Sequence, residues 1–214
     1  AARRHSVSKR QTRRLRRCYR STLARLARTE LHQKPAPFVI YRQSTIILDE
    51  MNELPKLILA SGSPRRSEIL NSVGWEFTKH VADIDESERE GESPDDYVFR
   101  LAREKAEAVA VHYSDEIVLG ADTTVVIDGQ IVGKPLDLDD AVRMLTMLAG
   151  NWHEVLTGVA IVQNGETRSG LQRTRVKFAA MKAEEIQFLA ERGDPLDKAG
   201  AYAVQAQAAL FIEG

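Results

Sequence analysis

The chain has 214 residues, enough for one domain with a substantial core, and it carries no apolar run of membrane-spanning length, so no membrane partner is expected. A single cysteine, Cys18, excludes an internal disulfide framework and any zinc site built on cysteine, and points to a reducing, cytoplasmic compartment. The net charge of −1 hides a division: residues 1–50 hold 11 Arg and 2 Lys against 3 acidic residues, whereas residues 51–214 hold 17 basic against 28 acidic residues.

The basic segment, RRHSVSKRQTRRLRRCYRSTLARLAR, lacks the apolar centre of a secretory signal, and its composition suits an organelle transit peptide or a nucleic-acid-binding arm. The first good strand begins only after Met51. The expectation is therefore that 1–50 is a disordered extension or upstream sequence and that 51–214 is the working domain.

From Met51 onward α and β patterns alternate. KLILAS predicts a short buried strand. In SGSPRRSEIL, Ser63 is placed to cap a helix, Pro64 suits its first position, and Gly74 closes it. Arg65 and Arg66 then put two cations where the macrodipole is already positive, an unfavourable arrangement unless an anion sits there. WEFTKHVADI reads as extended. Ser93 and Pro94 open a long helix reaching Tyr113, with Tyr97, Leu101, Ala108 and Val111 near one face. Residues 116–133 read as a strand and hairpin turning at Asp128-Gly129. LDDAVRMLTMLAG is an amphipathic helix ending at Gly150, residues 153–178 give two long strands around Asn164-Gly165, and AEEIQFLAERG is a helix stopped by Gly193. The class is α/β, and the long hairpin strands argue against a purely parallel sheet.

Several polar residues do not fit a packing role. Arg65 and Arg66 stand at a strand-to-helix junction, Lys105 lies in the long helix, and Asp122 interrupts an apolar strand. Lys134 stands in the stiff turn GKP, and Lys198 and Gln205 flank the small-residue stretch AGAY. Five cations gathered at element ends of an acidic domain suit a polyanion such as a nucleoside triphosphate, because local charge focuses such a ligand. Taken singly, each also fits a solvated first turn, a helix-surface ion pair, a turn former or an ordinary loop.

Order and wording add a second line. LASGSPRRSEIL, RLAREKAEAV, LGADTTVV, VGKP, LAGNWHEVLTGVAI and DPLDKAGAYAVQ, in that succession, closely resemble the Maf family of nucleoside triphosphate pyrophosphatases over residues 54–213. The resemblance implies an α/β fold of the Maf/ITPase-like kind, a bent mixed sheet with flanking helices and a nucleotide cleft between two lobes. It implies hydrolysis of a nucleotide to its monophosphate and pyrophosphate with a divalent cation, Mg²⁺ or Mn²⁺, and it suggests a homodimer. Carried over position by position, the catalytic acid/base falls on Asp122, which is equally suited to bind the metal, and a second metal-binding carboxylate falls on Glu86. The phosphate loop falls on Ser61, Ser63, Arg65 and Arg66, and the phosphate-neutralising lysines on Lys105, Lys134 and Lys198. At Arg65, Thr123 and Gln205 the chain is similar to the branch acting on dTTP and UTP, a house-cleaning activity that extends to modified pyrimidine nucleotides. The branch acting on 7-methylguanosine triphosphate has Trp, Gln and Glu at those places.

Two departures from the family pattern carry expectations. Ala206 stands where the family has Gly, which predicts strain if the loop needs a left-handed residue. The chain stops at ALFIEG where relatives run on through a strand and a closing helix, which predicts an exposed sheet edge and apolar face. Two other readings compete with the enzyme: a non-catalytic nucleotide-binding regulator of cell division, and nucleic-acid binding through the basic arm. The intact Asp122 favours the enzyme over the first, and the acidic body disfavours nucleic acid as a partner.

Overall fold

A computed structural model describes residues 55–214. The expectations for the basic segment and Cys18 lie outside the described residues. The elements follow in the order β1 Leu57–Ala60, α1 Pro64–Ser72, β2 Phe77–Lys79, α2 Pro94–Ala110, β3 Ile117–Ile127, β4 Gln130–Val132, α3 Leu138–Leu148, β5 Trp152–Gln163, β6 Glu166–Lys177 and α4 Ala183–Arg192, with 3₁₀ turns at Ala199–Ala201 and Gln207–Phe211. Among the described residues no helix is long and apolar enough to cross a membrane.

The strands form one mixed six-stranded sheet in the order β2-β1-β3-β5-β6, with β4 paired to β3. β1 is parallel to β2 and to β3, whereas β4, β5 and β6 join antiparallel. Both hairpins turn where the sequence placed them, because Asp128-Gly129 and Asn164-Gly165 accept the positive φ of a tight two-residue turn. α1 ends in a Schellman motif in which Trp75 N–H donates to Leu70 and Gly74 N–H, at φ 70°, donates to Asn71.

Helices cover both faces of the sheet. Leu57, Leu59 and Leu70 pack α1 on one face, while Ile58, Ala60, Ala102, Ala106, Val109 and Val118 pack α2 on the other. α3 and α4 pack through Leu145, Leu148, Ile186 and Leu189 on the Val125 side of the distal half of the sheet. α2 comes close because Gly120 and Gly158 lie beneath it. A Cβ on Gly120 would stand 2.4 Å from the Ala102 carbonyl oxygen, and one on Gly158 2.5 Å from that of Val98.

Four expectations need correction. The buried face of α2 is Val98, Leu101, Ala102, Lys105, Ala106 and Val109, while Ala108 is exposed and Val111 is 77% exposed, because the helix ends at Ala110 and one angular step separates the two stripes. Only Phe77–Lys79 of the 75–84 stretch pairs as a strand, and the chain from His80 to Ser93 is irregular. Ser63 is the N-cap of α1 by backbone geometry, yet its side chain makes no cap bond. Ala206 lies at φ −106°, so its loop needs no left-handed residue and the substitution of Gly is unstrained.

Candidate active site

The sheet forks at β3. On one edge, Ile117–Gly120 pair with β1 and Val125–Ile127 pair with β4, so residues 121–124 have no strand neighbour there. The other edge is paired continuously to β5. Strand order also reverses between β1 and β3, because α1 carries the chain one way from β1 and α2 carries it back past β1 to β3 on the opposite face. Open α/β sheets bind ligands at such switch points. Asp122 and Thr123 occupy the gap, and alternation sends their side chains to opposite faces.

On the α2 face, Asp122 is 9% exposed and accepts a hydrogen bond from Lys105 Nζ at 2.7 Å. The same ammonium lies 2.9 Å from Glu86 Oε1, so one buried cation joins the two expected metal-binding carboxylates. Glu86 comes from the irregular 80–93 segment, and its side chain is 46% exposed. Tyr97, on the same helix as Lys105, donates its hydroxyl to the Glu86 carbonyl at 3.0 Å.

On the α1 face, Arg66 Nη1 donates to Ser61 Oγ at 2.7 Å and Nη2 donates to Thr123 Oγ1 at 3.2 Å. Thr123 Oγ1 in turn lies 3.2 Å from Thr157 Oγ1, its cross-strand partner on β5. Among the described residues no carboxylate lies within ion-pair distance of Arg66. Burial lowers its pKa below the usual arginine value, and the charges of Asp122 and Glu86 across the gap only partly offset that. A guanidinium held by two hydroxyls, at the start of a helix with no acidic residue in its first turn, is arranged for an exogenous anion. Ser61, buried at the end of β1, also accepts from the Ser63 N–H at 3.2 Å and so shapes the turn into α1.

Lys134 and Lys198 sit on two turns beside the Val125 face. Gly200 N–H donates to the Gly133 carbonyl at 3.0 Å, which ties the Lys198 turn to the Lys134 turn. Gly200, at φ 66°, lies so close over β3 that a Cβ would meet Val125 at 2.8 Å. Lys134 is exposed. Lys198 is buried and engaged with Asp194 and Asp197, a pairing the sequence gave no reason to expect. Burial would raise the Asp197 pKa, but the Lys198 hydrogen bond and charge and the Arg65 charge bring it below the ordinary carboxylate value. Arg65 and Gln205 make no side-chain hydrogen bond among the described residues, and Gln205 is exposed in the turn after Tyr202. The structure thus forms two contact groups at the gap, Ser61–Arg66–Thr123 on one face and Asp122–Lys105–Glu86 on the other, while Arg65, Lys134 and Gln205 stand apart from both and Lys198 is buried against Asp194 and Asp197. Two concavities of about 510 and 610 Å³ open elsewhere, one lined by Asp95, Trp152 and Arg173 and the other by Leu57, Trp75 and Ile161. Neither is lined by Arg66, Asp122, Lys105 or Glu86.

Sequence reasoning missed Thr157, Tyr97 and the 153–202 link. His153, 2% exposed, lies with Nε2 2.7 Å from Tyr202 Oη, and its Nδ1 has no hydrogen-bond partner among the described residues. Thr157 was hidden because it faces Thr123 only through the antiparallel pairing of β3 with β5, strands that β4 and α3 separate in the chain. Nothing local could have found Tyr97, whose partner is a main-chain oxygen of an irregular segment.

Comparison with known proteins supplies the family. Residues 56–214 match the model of the Maf-like protein family. Over 161 residues the chain is 51% identical to a dTTP/UTP pyrophosphatase of Hahella chejuensis, covering 74% of this chain and 80% of that protein. Over 159 residues it is 49% identical to a dTTP/UTP pyrophosphatase of Symbiobacterium thermophilum, covering 74% and 82%. Among solved structures, the Ham1 protein of Staphylococcus aureus aligns with a TM-score of 0.44 and 14% identity, covering 59% of this chain and 73% of that one. A family match over most of the described residues, with relatives near half identical along four fifths of their length, leads to one conclusion: the chain belongs to the Maf-like protein family.

Proposed function

We propose that the chain is a nucleoside triphosphate pyrophosphatase that hydrolyses dTTP and UTP to the monophosphate and pyrophosphate at the fork in the sheet. The observation that carries this reading is the meeting at the gap of Arg66, a part-buried cation without a carboxylate partner among the described residues, and Asp122, a buried carboxylate. The names of the relatives support the substrates. In this reading the triphosphate lies along the start of α1, where Arg66 and Arg65 meet its charge and Lys134 and Lys198 flank it. Asp122 orients a water on the α-phosphorus and takes its proton. The water oxygen bonds to phosphorus as the α–β bridging P–O bond breaks, and the electron pair leaves with pyrophosphate. Catalysis is then mostly positioning and electrostatic stabilisation of charge on the phosphoryl oxygens.

The donor set at Asp122 and Glu86 fits a divalent cation, since two hard carboxylates suffice for Mg²⁺ or Mn²⁺ when substrate phosphates and waters complete the shell. Such an ion, when bound, would polarise the phosphate oxygens. Lys105 holds both carboxylates toward one point. Gln205 offers a carboxamide donor and acceptor to the alternating edge of a pyrimidine base. The same reading places the reaction in the cytoplasm, where the lone Cys18 stays reduced.

The test is pyrophosphate release from dTTP, UTP, dATP, GTP and 7-methylguanosine triphosphate by the wild type and Asp122→Asn. The expected result is preference for dTTP and UTP, with a loss of roughly 10²- to 10⁴-fold in the variant while nucleotide still binds. Undiminished turnover by Asp122→Asn would remove Asp122 from the mechanism, and nucleotide binding without any pyrophosphate release would favour the regulator.

A further inference from the structure

One face of α2 serves two purposes. Tyr97, Arg100 and Glu104 follow one another at helical spacings and Lys105 comes next in the chain, so the residues that grip the 80–93 segment share a rigid rod with the lysine that receives Glu86. Tyr97 Oη donates to the Glu86 carbonyl at 3.0 Å, and Arg100 Nη2 donates to the next carbonyl, Ser87, at 3.0 Å. Arg100 also holds Glu92 in a two-pronged pair, Nε to Oε1 at 2.6 Å and Nη2 to Oε2 at 2.7 Å. Both partners are nearly buried, with side chains 12% and 9% exposed. The third prong, Nη1, reaches Glu104 at 3.1 Å, and Glu104 accepts from Arg89 at 2.8 Å. The Arg100 guanidinium lies 5.6 Å from the centre of the Tyr97 ring, so the two grips support each other.

An irregular segment between a three-residue strand and a helix has little backbone pairing of its own. Its Glu86 carboxylate is nevertheless held on Lys105 at 2.9 Å. We propose that Tyr97 and Arg100 are positioning residues that clamp main-chain atoms 86–87 and the Glu92 carboxylate to α2, and so present the Glu86 carboxylate to the site. This rests on the reading of Glu86 as a cation- and phosphate-facing group.

The test uses the full chain and Mn²⁺ as the probe, titrated in the presence of a dUTP analogue with an imido bridge between the α- and β-phosphates. Bound Mn²⁺ is read by electron paramagnetic resonance, and amide hydrogen exchange is followed over 86–92. Tyr97→Phe, which keeps the ring and its packing, is expected to weaken Mn²⁺ binding about tenfold and to speed exchange in 86–92. Arg100→Gln is expected to do the same or more. In a Glu86→Gln background, Tyr97→Phe should cost nothing further in Mn²⁺ affinity, because its effect passes through Glu86. Equal Mn²⁺ affinity in wild type and Tyr97→Phe, or a full additive loss in the double variant, overturns the clamp. If the wild type takes up no Mn²⁺ with the analogue and releases no pyrophosphate from dTTP, the functional reading fails instead, and the exchange data still decide whether Tyr97 and Arg100 hold the segment.

Discussion

At the scale of single residues, the two adjacent arginines of α1 are not equivalent. Arg66 is fixed by Ser61 and Thr123, which leaves its planar fork oriented toward the gap beside Asp122, whereas Arg65 is half-buried with no side-chain bond among the described residues. A lysine cannot span two hydroxyls and still present a second donor edge, so Arg66→Lys is not a conservative change. The expected outcome is a loss of about 100-fold in kcat/KM for dTTP with Arg66→Lys and a markedly smaller loss with Arg65→Lys, measured by steady-state kinetics. Thr123→Val should fall between them, because it removes one of the two bonds that orient Arg66. The structure puts the Thr123 hydroxyl on the Arg66 guanidinium, whereas resemblance alone connected Thr123 with choice of base. Residue identities were legible in the sequence. The division of labour between neighbours was not, since it depends on which side chain a distant strand meets.

At the scale of elements, the site depends on how close α2 approaches the sheet. Gly120 and Gly158 lie beneath Ala102 and Val98, and Lys105 reaches Asp122 from the next turn of the same helix. Gly120→Ala would place a Cβ against the backbone of two α2 residues, which cannot yield as a side chain does. The expected destabilisation is about 1–3 kcal/mol by urea denaturation, accompanied by lost turnover as Lys105 is carried away from Asp122. Retained activity at full stability would show that α2 has room to spare. The elements themselves were largely readable because their signals are local: Pro after Ser at helix starts, Asp-Gly and Asn-Gly at hairpins, and alternating apolar residues in β5. The face of α2 was misread because Ala108 and Val111 are apolar and one step away from the true stripe, and because Lys105 counted as polar although two carboxylates make it a buried member of that stripe. The fork is nowhere local. It exists because two strands far apart in sequence pair with opposite ends of one edge of β3.

At the scale of the whole molecule, His153 makes stability depend on pH. Its ring is 2% exposed, packed edge-on at 5.1 Å from Phe178 and bound to Tyr202, and this contact joins β5 to the turn carrying Lys198. Burial lowers its pKa from 6.5 to about 4. The sign follows from proton counting. Below the unfolded value the unfolded chain takes a proton that the folded chain refuses, so stability is fully present above about pH 6.5 and is lost as pH falls toward the folded value. From about pH 7.5 to about pH 5 the expected loss from this residue alone is about 2 kcal/mol. Glu92, whose pKa the Arg100 hydrogen bond lowers below the ordinary carboxylate value, contributes in the same direction but only at more acid pH, as its folded form titrates. The two are separable by substitution. His153→Gln retains a group able to bond Tyr202 but removes the titration. Unfolding curves in urea at pH values from about 7.5 to about 5 should then show a shallower decline for His153→Gln than for the wild type, even if the variant starts less stable. Parallel declines for the two proteins would mean that His153 is protonated without cost in the folded state, and that its unpartnered Nδ1 finds an acceptor when it gains the proton.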